Sequence, residues 1–225
     1  MAVATGCWLI GSDAHAGIEA CNDIRIEASG NCTLELSASC EVACDAGFYE
    51  KACATELYSV CSNDCTLEVT EECFGSAEEA CLDQCSVTDI TCHHNCFDEC
   101  ADGCQQQCAG AEDMQQCAAT CEATCDGECE STCSALPPGS SCYDHCIECY
   151  SGACRAEVNW DCQYSCQDIE FESCEHALKI ECDAGCEGDG ALFCDGQYII
   201  GGAELGPCVE ALIELGMDLL PEIDL

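Results

Sequence analysis

The stretch CAATCEATCDGECESTC places a cysteine at every fourth position from Cys117 to Cys133, and 32 of the chain's 225 residues are cysteines. Sulfur at that density can cross-link the chain, hold soft metal ions as thiolates, or exchange electrons at a reactive pair. On a helix, residues i and i+4 share a face with Cβ atoms ~5–6 Å apart. A disulfide wants them ~3.5–4.5 Å apart. Neighbours in such a row cannot readily bond each other. The row is instead a sulfur stripe that must bond another segment.

The metal and redox alternatives have their own candidate residues. Zinc sites favour C-x₂₋₄-C spacings, and C-x₃-C falls within that range. The candidate ligands are Cys92, His93, His94 and Cys96 in CHHNC, and Cys142, Cys146 and Cys149 in CYDHCIEC. Adjacent histidines point about 100° apart on a helix, so His93 and His94 do not readily share one ion. The chain has one C-x-x-C, Cys146 to Cys149, and no C-x-C. A redox pair needs a setting that lowers a thiol pKa, whereas here carboxylates surround it. No EF-hand loop, nucleophile-elbow motif or glycine-rich phosphate loop is present. No cofactor and no catalytic residue is expected. Asn31-Cys32-Thr33 matches the short glycosylation pattern.

Charge and composition narrow the partners. Four basic residues face 45 acidic ones, a net charge of −41. Nucleic acids and anionic membranes need basic patches, so neither is an expected partner. Weak divalent-cation binding, without a formed high-affinity site, is expected. No run of ~20 apolar residues could span a membrane. The start, MAVATGCWLI, lacks the basic and apolar regions of a full signal peptide. Ala4-Thr5-Gly6-Cys7 loosely resembles a lipoprotein cleavage site, and the expectation is a trimmed N-terminus. Leu, Ile, Val and Phe number 15, 12, 7 and 5. They make up roughly 17% of the chain, below the ~20% at which a highly charged chain is expected to be disordered. Between Cys92 and Cys154 that set holds only Phe97, Leu136 and Ile147, beside 14 cysteines. Covalent bonds or metal must replace an aliphatic core there.

The elements that position the sulfurs follow from the spacing. Cys32, Cys40, Cys44, Cys53, Cys61, Cys65, Cys73, Cys81 and Cys85 repeat a rhythm of 8 then 4, with a period of 20 to 21 residues. Cys154 to Cys194 repeats that rhythm with period 20. CTLELSASC, CTLEVTEEC and CRAEVNWDC alternate with period two. They put Leu34/Leu36, Leu67/Val69 and Val158/Trp160 on one face each, which predicts strands. The middle rows, Cys92 to Cys108 and Cys117 to Cys133, are rich in Ala, Gln and Glu, which predicts helices. Ser141 is a predicted N-cap with Asp144 three residues on. The expected organisation is an N-terminal segment (1–31), strand-rich repeats (32–91), helical repeats (92–153), strand-rich repeats (154–194) and a C-terminal tail (195–225). In the tail, Pro207 opens a predicted capping helix with Val209, Leu212, Ile213, Leu219 and Leu220 on one face. That face either docks on the rest of the chain or mediates oligomerisation. The fold class expected is α+β: a disulfide-rich repeat protein with short-strand flanks around a cysteine-zippered helical middle.

If the middle rows are antiparallel helices, bonded residue numbers keep a constant sum. Cys108 with Cys117, Cys104 with Cys121, and Cys100 with Cys125 all satisfy it. Each four-residue step advances 400°, a drift of about 40° on a straight helix. Cys96 with Cys129 and Cys92 with Cys133 keep the same sum, but about three rungs near the loop are expected, with the more distant cysteines bonded to the flanks or to the segment from Cys142 to Cys154.

CRAEVNWDCQYSC followed by GALFCDGQYI resembles the uncharacterised, cysteine-rich, acidic secreted proteins of myxobacteria and related bacteria, over roughly residues 32 to 200. The resemblance implies export to an oxidising space and carries no activity or functional residue with it. The reading that results is an exported structural or interaction protein of the cell surface or extracellular space, without catalysis. The alternatives are a metal-sequestering thiolate and carboxylate protein and, remotely, a thiol-disulfide oxidoreductase at Cys146/Cys149.

Overall fold

A computed structural model of the chain describes residues 18–26, 30–66, 81, 92–137, 139–217 and 219–221. The fold is α+β and mostly helical. Its helices are α1 (Ser37–Ala46), α2 (Glu50–Cys61), α3 (Cys92–Gln107), α4 (Met114–Ser134), α5 (Cys142–Gln167), α6 (Phe171–Cys186) and α7 (Leu205–Glu214). Four short strands, β1 (Cys32–Glu35), β2 (Ala191–Cys194), β3 (Gln197–Gly201) and β4 (Leu219–Pro221), make one sheet of order β3-β2-β1-β4. The first three are antiparallel, and β4 adds to β1 in parallel.

The cross-links follow one rule. From the outside in, the bonds are Cys21–Cys208, Cys32–Cys194, Cys40–Cys186, Cys44–Cys182, Cys53–Cys174, Cys61–Cys166, Cys65–Cys162 and Cys81–Cys146. They continue inward as Cys96–Cys129, Cys100–Cys125, Cys104–Cys121 and Cys108–Cys117. The two numbers of every pair sum to between 225 and 229, while the separation falls from 187 to 9 residues. The described chain is thus one long hairpin, with its first half bonded to its second in reverse order. Its tip is the turn between α3 and α4.

That rule corrects the flanks. Val158 and Trp160 lie on α5, and of the first strand candidate only Cys32–Glu35 pairs as a strand. Leu67 and Val69 lie outside the described residues. The cause is the pairing geometry. Cys40/Cys44, Cys162/Cys166 and Cys182/Cys186 are four apart, and each couple must present both sulfurs to one partner. Residues four apart share a face on a strand as well as on a helix, but only a helix sets them one turn rather than four extended residues apart. The short alternating patterns yield to the packing of the cross-linked helices. The tail is corrected too. α7 begins two residues before Pro207 and ends at Glu214, ahead of Gly216 at φ 79°. Leu219 and Leu220 then extend beside β1 rather than continuing the helix. Leu212 is fully buried, whereas Ile213 is exposed.

The ladder at the hairpin tip extends past the expected three rungs. Cys96–Cys129 is a fourth, and the Cα–Cα separation stays at 5.7 Å across all four. A four-residue stripe drifts steadily around a straight helix, so the two helices must wind with it to keep the stripes facing. A hydrophobic period longer than 3.6 residues imposes a right-handed supercoil by the same logic. Local signals set the ends. Asp113 caps α4 by accepting from the Gln115 and Gln116 amides at 2.9 and 3.0 Å. Ser141 and Asp144 form a capping box at the start of α5.

Aliphatic packing is concentrated at the sheet end. Ile24, Leu57, Leu178, Leu192, Ile199, Ile200, Leu205 and Leu212 cluster there with Tyr49, Phe193 and Tyr198. At the hairpin tip the buried cluster is Phe97, Ala156 and the sulfurs of Cys104, Cys108, Cys117, Cys121 and Cys125. Close helix approach compensates for the missing bulk. A Cβ at Gly127 on α4 would overlap the Tyr58 ring of α2, and one at Gly152 on α5 would come within 2.6 Å of Cys96 Sγ.

Candidate functional site

The thiols come first. Cys146 is bonded to Cys81, so the Cys146–Cys149 pair of the remote redox alternative is not formed; Cys149 is buried on the same helix. Cys96 is bonded to Cys129, and Cys142 is a disulfide cysteine. The side chains of Cys92, His93 and His94 lie outside the described residues. Of the described side chains in the CHHNC and CYDHCIEC candidate sets, Cys96, Cys142 and Cys146 are committed to cross-links. Cys100, Cys104 and Cys108 meet Cys125, Cys121 and Cys117 across the α3–α4 ladder.

Among the described residues, two places bring sulfurs from neighbouring rungs together. Cys40, Cys44 and Cys186 have Sγ atoms within 4.8 Å of one another, as do Cys104, Cys121 and Cys125. Cys44 Sγ is 3.4 Å from Cys186 Sγ, and Cys104 Sγ is 3.9 Å from Cys125 Sγ. Neither contact is itself a cross-link. Each arises because adjacent rungs are one helical turn apart. The thiolate, not the disulfide sulfur, is the metal ligand, so both clusters are structural in the oxidised protein.

An acidic groove of about 1100 Å³ opens among the described residues. It lies among the turn at 19–24, α2, α4, α6 and β3. Glu19, Asp23, Glu56, Asp126, Glu130, Glu181 and Glu204 line it, with Ile24, Leu178 and Ile199 beneath. No described lysine, arginine or histidine lines it. Buried Tyr198 donates to Oε1 of the lining residue Glu181 at 3.3 Å. Burial, then the Glu181 charge, pushes its phenol well above the ordinary tyrosine range. Tyr58 is raised by burial and by Glu128 and Asp126. Tyr49, whose hydroxyl donates to the Cys44 carbonyl at 2.7 Å, is pushed up to about 12 by burial and then Asp183 and Asp45.

Three of the chain's four basic residues are engaged inside this acidic field. Arg25 lies 3.7 Å from the Phe97 ring centroid and reaches Asp126 at 3.3 Å, tying the N-terminal turn to α3 and α4. Lys51 pairs with Glu122 at 3.6 Å and Lys179 with Asp45 at 2.6 Å. The surface left over is therefore overwhelmingly anionic.

Hydroxyl groups serve the helices. Thr55, Ser59, Thr124, Thr132 and Ser165 donate to carbonyls three or four residues back. Thr120 donates to Gln167 Oε1, and Gln167 Nε2 donates to Gln163 Oε1, a buried polar chain between α4 and α5. Sequence reasoning did not find the groove, because acidic residues occur all along the chain and only packing selects seven of them. Among the described residues, no helix is long and apolar enough to cross a membrane. Compared with known family models, curated proteins and solved structures, the chain matches none.

Proposed function

We propose that the protein is an exported, non-enzymatic structural or interaction protein of the cell surface or extracellular space. The ladder carries this reading: twelve described bonds, running from Cys21–Cys208 to Cys108–Cys117, use most of the described sulfur as staples. Disulfides at that density persist in oxidising compartments and are rare where glutathione keeps thiols reduced. They also offset two weaknesses of the sequence, a thin aliphatic core and the self-repulsion of a −41 chain. The resemblance to secreted cysteine-rich proteins agrees with export. The anionic surface directs interaction away from nucleic acids and acidic lipid.

The metal-sequestering alternative requires the same sulfurs as thiolates. The two readings part in one experiment: intact mass of protein isolated from its native compartment, denatured with and without an alkylating agent. The expected result is a mass lowered by two hydrogens per bond, with no adduct at the bonded cysteines. Alkylation of most cysteines, with release of a metal ion, would put sequestration in its place.

A further inference from the structure

We infer that the junction of α1 and α6, when its two rungs are reduced, is a four-thiolate site for a soft, tetrahedral divalent ion of the zinc class. This goes beyond the structural reading and does not rest on it. Cys40 and Cys44 are one turn apart on α1, and Cys182 and Cys186 one turn apart on α6, in antiparallel register. Each couple is a C-x₃-C, within the spacing zinc ligands favour.

The distances fit. A tetrahedral ion with sulfurs at about 2.3 Å holds them roughly 3.8 Å apart. Cys44 Sγ and Cys186 Sγ already lie 3.4 Å apart across the rungs, and Cys40, Cys44 and Cys186 all lie within 4.8 Å. The bonded couples must separate to that spacing, and Cys182 Sγ, held on Cys44 and outside the 4.8 Å group, must swing in to complete the tetrahedron. Cys40, Cys44 and Cys182 are fully buried and Cys186 is 9% exposed, so coordination is shielded from water.

The scaffold has other supports when those two bonds open. Cys32–Cys194 and Cys53–Cys174 bracket the junction. Tyr49 bonds the Cys44 carbonyl, Lys179 pairs with Asp45, and the aliphatic cluster lies alongside. The comparable trio at Cys104, Cys121 and Cys125 has sulfur and Phe97 for a core, so it lacks that support. The chemistry balances. Each disulfide takes two electrons from a water-soluble phosphine and two protons from solvent to give two thiols, while the phosphine gains an oxygen from water. A zinc ion then binds four thiolates as four protons leave.

The test is differential alkylation mapped by mass spectrometry. The full chain is treated with phosphine, raised until all four cysteines are alkylated in the metal-free arm. A parallel arm receives zinc sulfate before alkylation. Cys40, Cys44, Cys182 and Cys186 should then escape alkylation until a chelator is added. Cobalt(II) in place of zinc should show the absorption of tetrahedral thiolate coordination. Equal alkylation of the four in both arms overturns the proposal, whether or not the reduced chain stays folded. The double variant Cys44→Ser with Cys182→Ser removes one rung and half the ligands. Protection of Cys40 and Cys186 should be lost in it, and persistent protection of both would overturn the four-ligand site.

Discussion

Removing one rung tests whether a nested cross-link is worth its own loop or only the gap to its neighbour. Cys40–Cys186 spans 146 residues and Cys104–Cys121 spans 17. Treated as isolated loops, chain entropy assigns them roughly 5 and roughly 3 kcal/mol. In the ladder, however, Cys44–Cys182 already holds the chain four residues away on each side of Cys40–Cys186. Cys100–Cys125 and Cys108–Cys117 do the same for Cys104–Cys121. The ring each bond newly closes therefore holds about eight residues in both cases, which gives roughly 2.5 kcal/mol for either. The paired variants Cys40→Ala/Cys186→Ala and Cys104→Ala/Cys121→Ala each delete two buried or nearly buried sulfurs, so the cavity contributions are alike. Guanidinium unfolding without reductant, followed by far-UV circular dichroism, reads both losses. The expected losses agree within about 1 kcal/mol, the scatter typical of such loop estimates. If the Cys40/Cys186 variant loses about 2 kcal/mol more, as isolated loops require, the nested-ring reasoning fails.

The mirror rule names partners for three further disulfide cysteines, Cys133, Cys142 and Cys154. It assigns them to Cys92, Cys85 and Cys73; Cys73 and Cys85 lie outside the described residues. Peptide mapping without reduction should recover those three linkages, and different partners would break the rule. Gly127→Ala should cost roughly 1–3 kcal/mol by overpacking against Tyr58. Gly103→Ala, whose nearest neighbour would be Gln107 at 3.8 Å, should gain up to about 1 kcal/mol in thermal unfolding. Alkali should destabilise the fold. Tyr49 is an acid whose folded pKa is raised from 10.0 to about 12, so its contribution is complete below 10.0 and is lost as pH rises through about 12. A phenolate absorbance titration should show Tyr49 ionising late, and Tyr49→Phe should flatten the loss of stability over that window; an unchanged profile would count against the assignment. After full reduction, hydrogen exchange should show residues 92–137 losing protection before the sheet end, because sulfur is most of their core; sustained protection there would contradict this.

How much of this was legible depended on which signal each residue obeyed. The constant sum at Cys100 to Cys125 could be read from the sequence because the two middle rows carry the same four-residue step in both directions. The flanks carry the same information in a less visible form. Read forward, Cys32, Cys40 and Cys44 show 8 then 4; read backward, Cys194, Cys186 and Cys182 show it again. A forward-only reading finds two similar repeats, whereas a reversed one finds the hairpin. The strand expectations failed for a related reason. Alternation at Val158 and Trp160 is a preference of a few side chains, worth at most about 1 kcal/mol each. The cross-links from Cys162 and Cys166 on α5 to Cys65 and Cys61 carry several times that. The groove was illegible for a different reason. Glu19, Asp126 and Glu204 differ in nothing local from the acidic residues elsewhere, and only the hairpin's closure brings them to one surface. The same closure sets Cys44 beside Cys186, 142 residues away in sequence. In this chain the cysteine order specifies which segments meet. The chemistry follows from what those meetings place side by side.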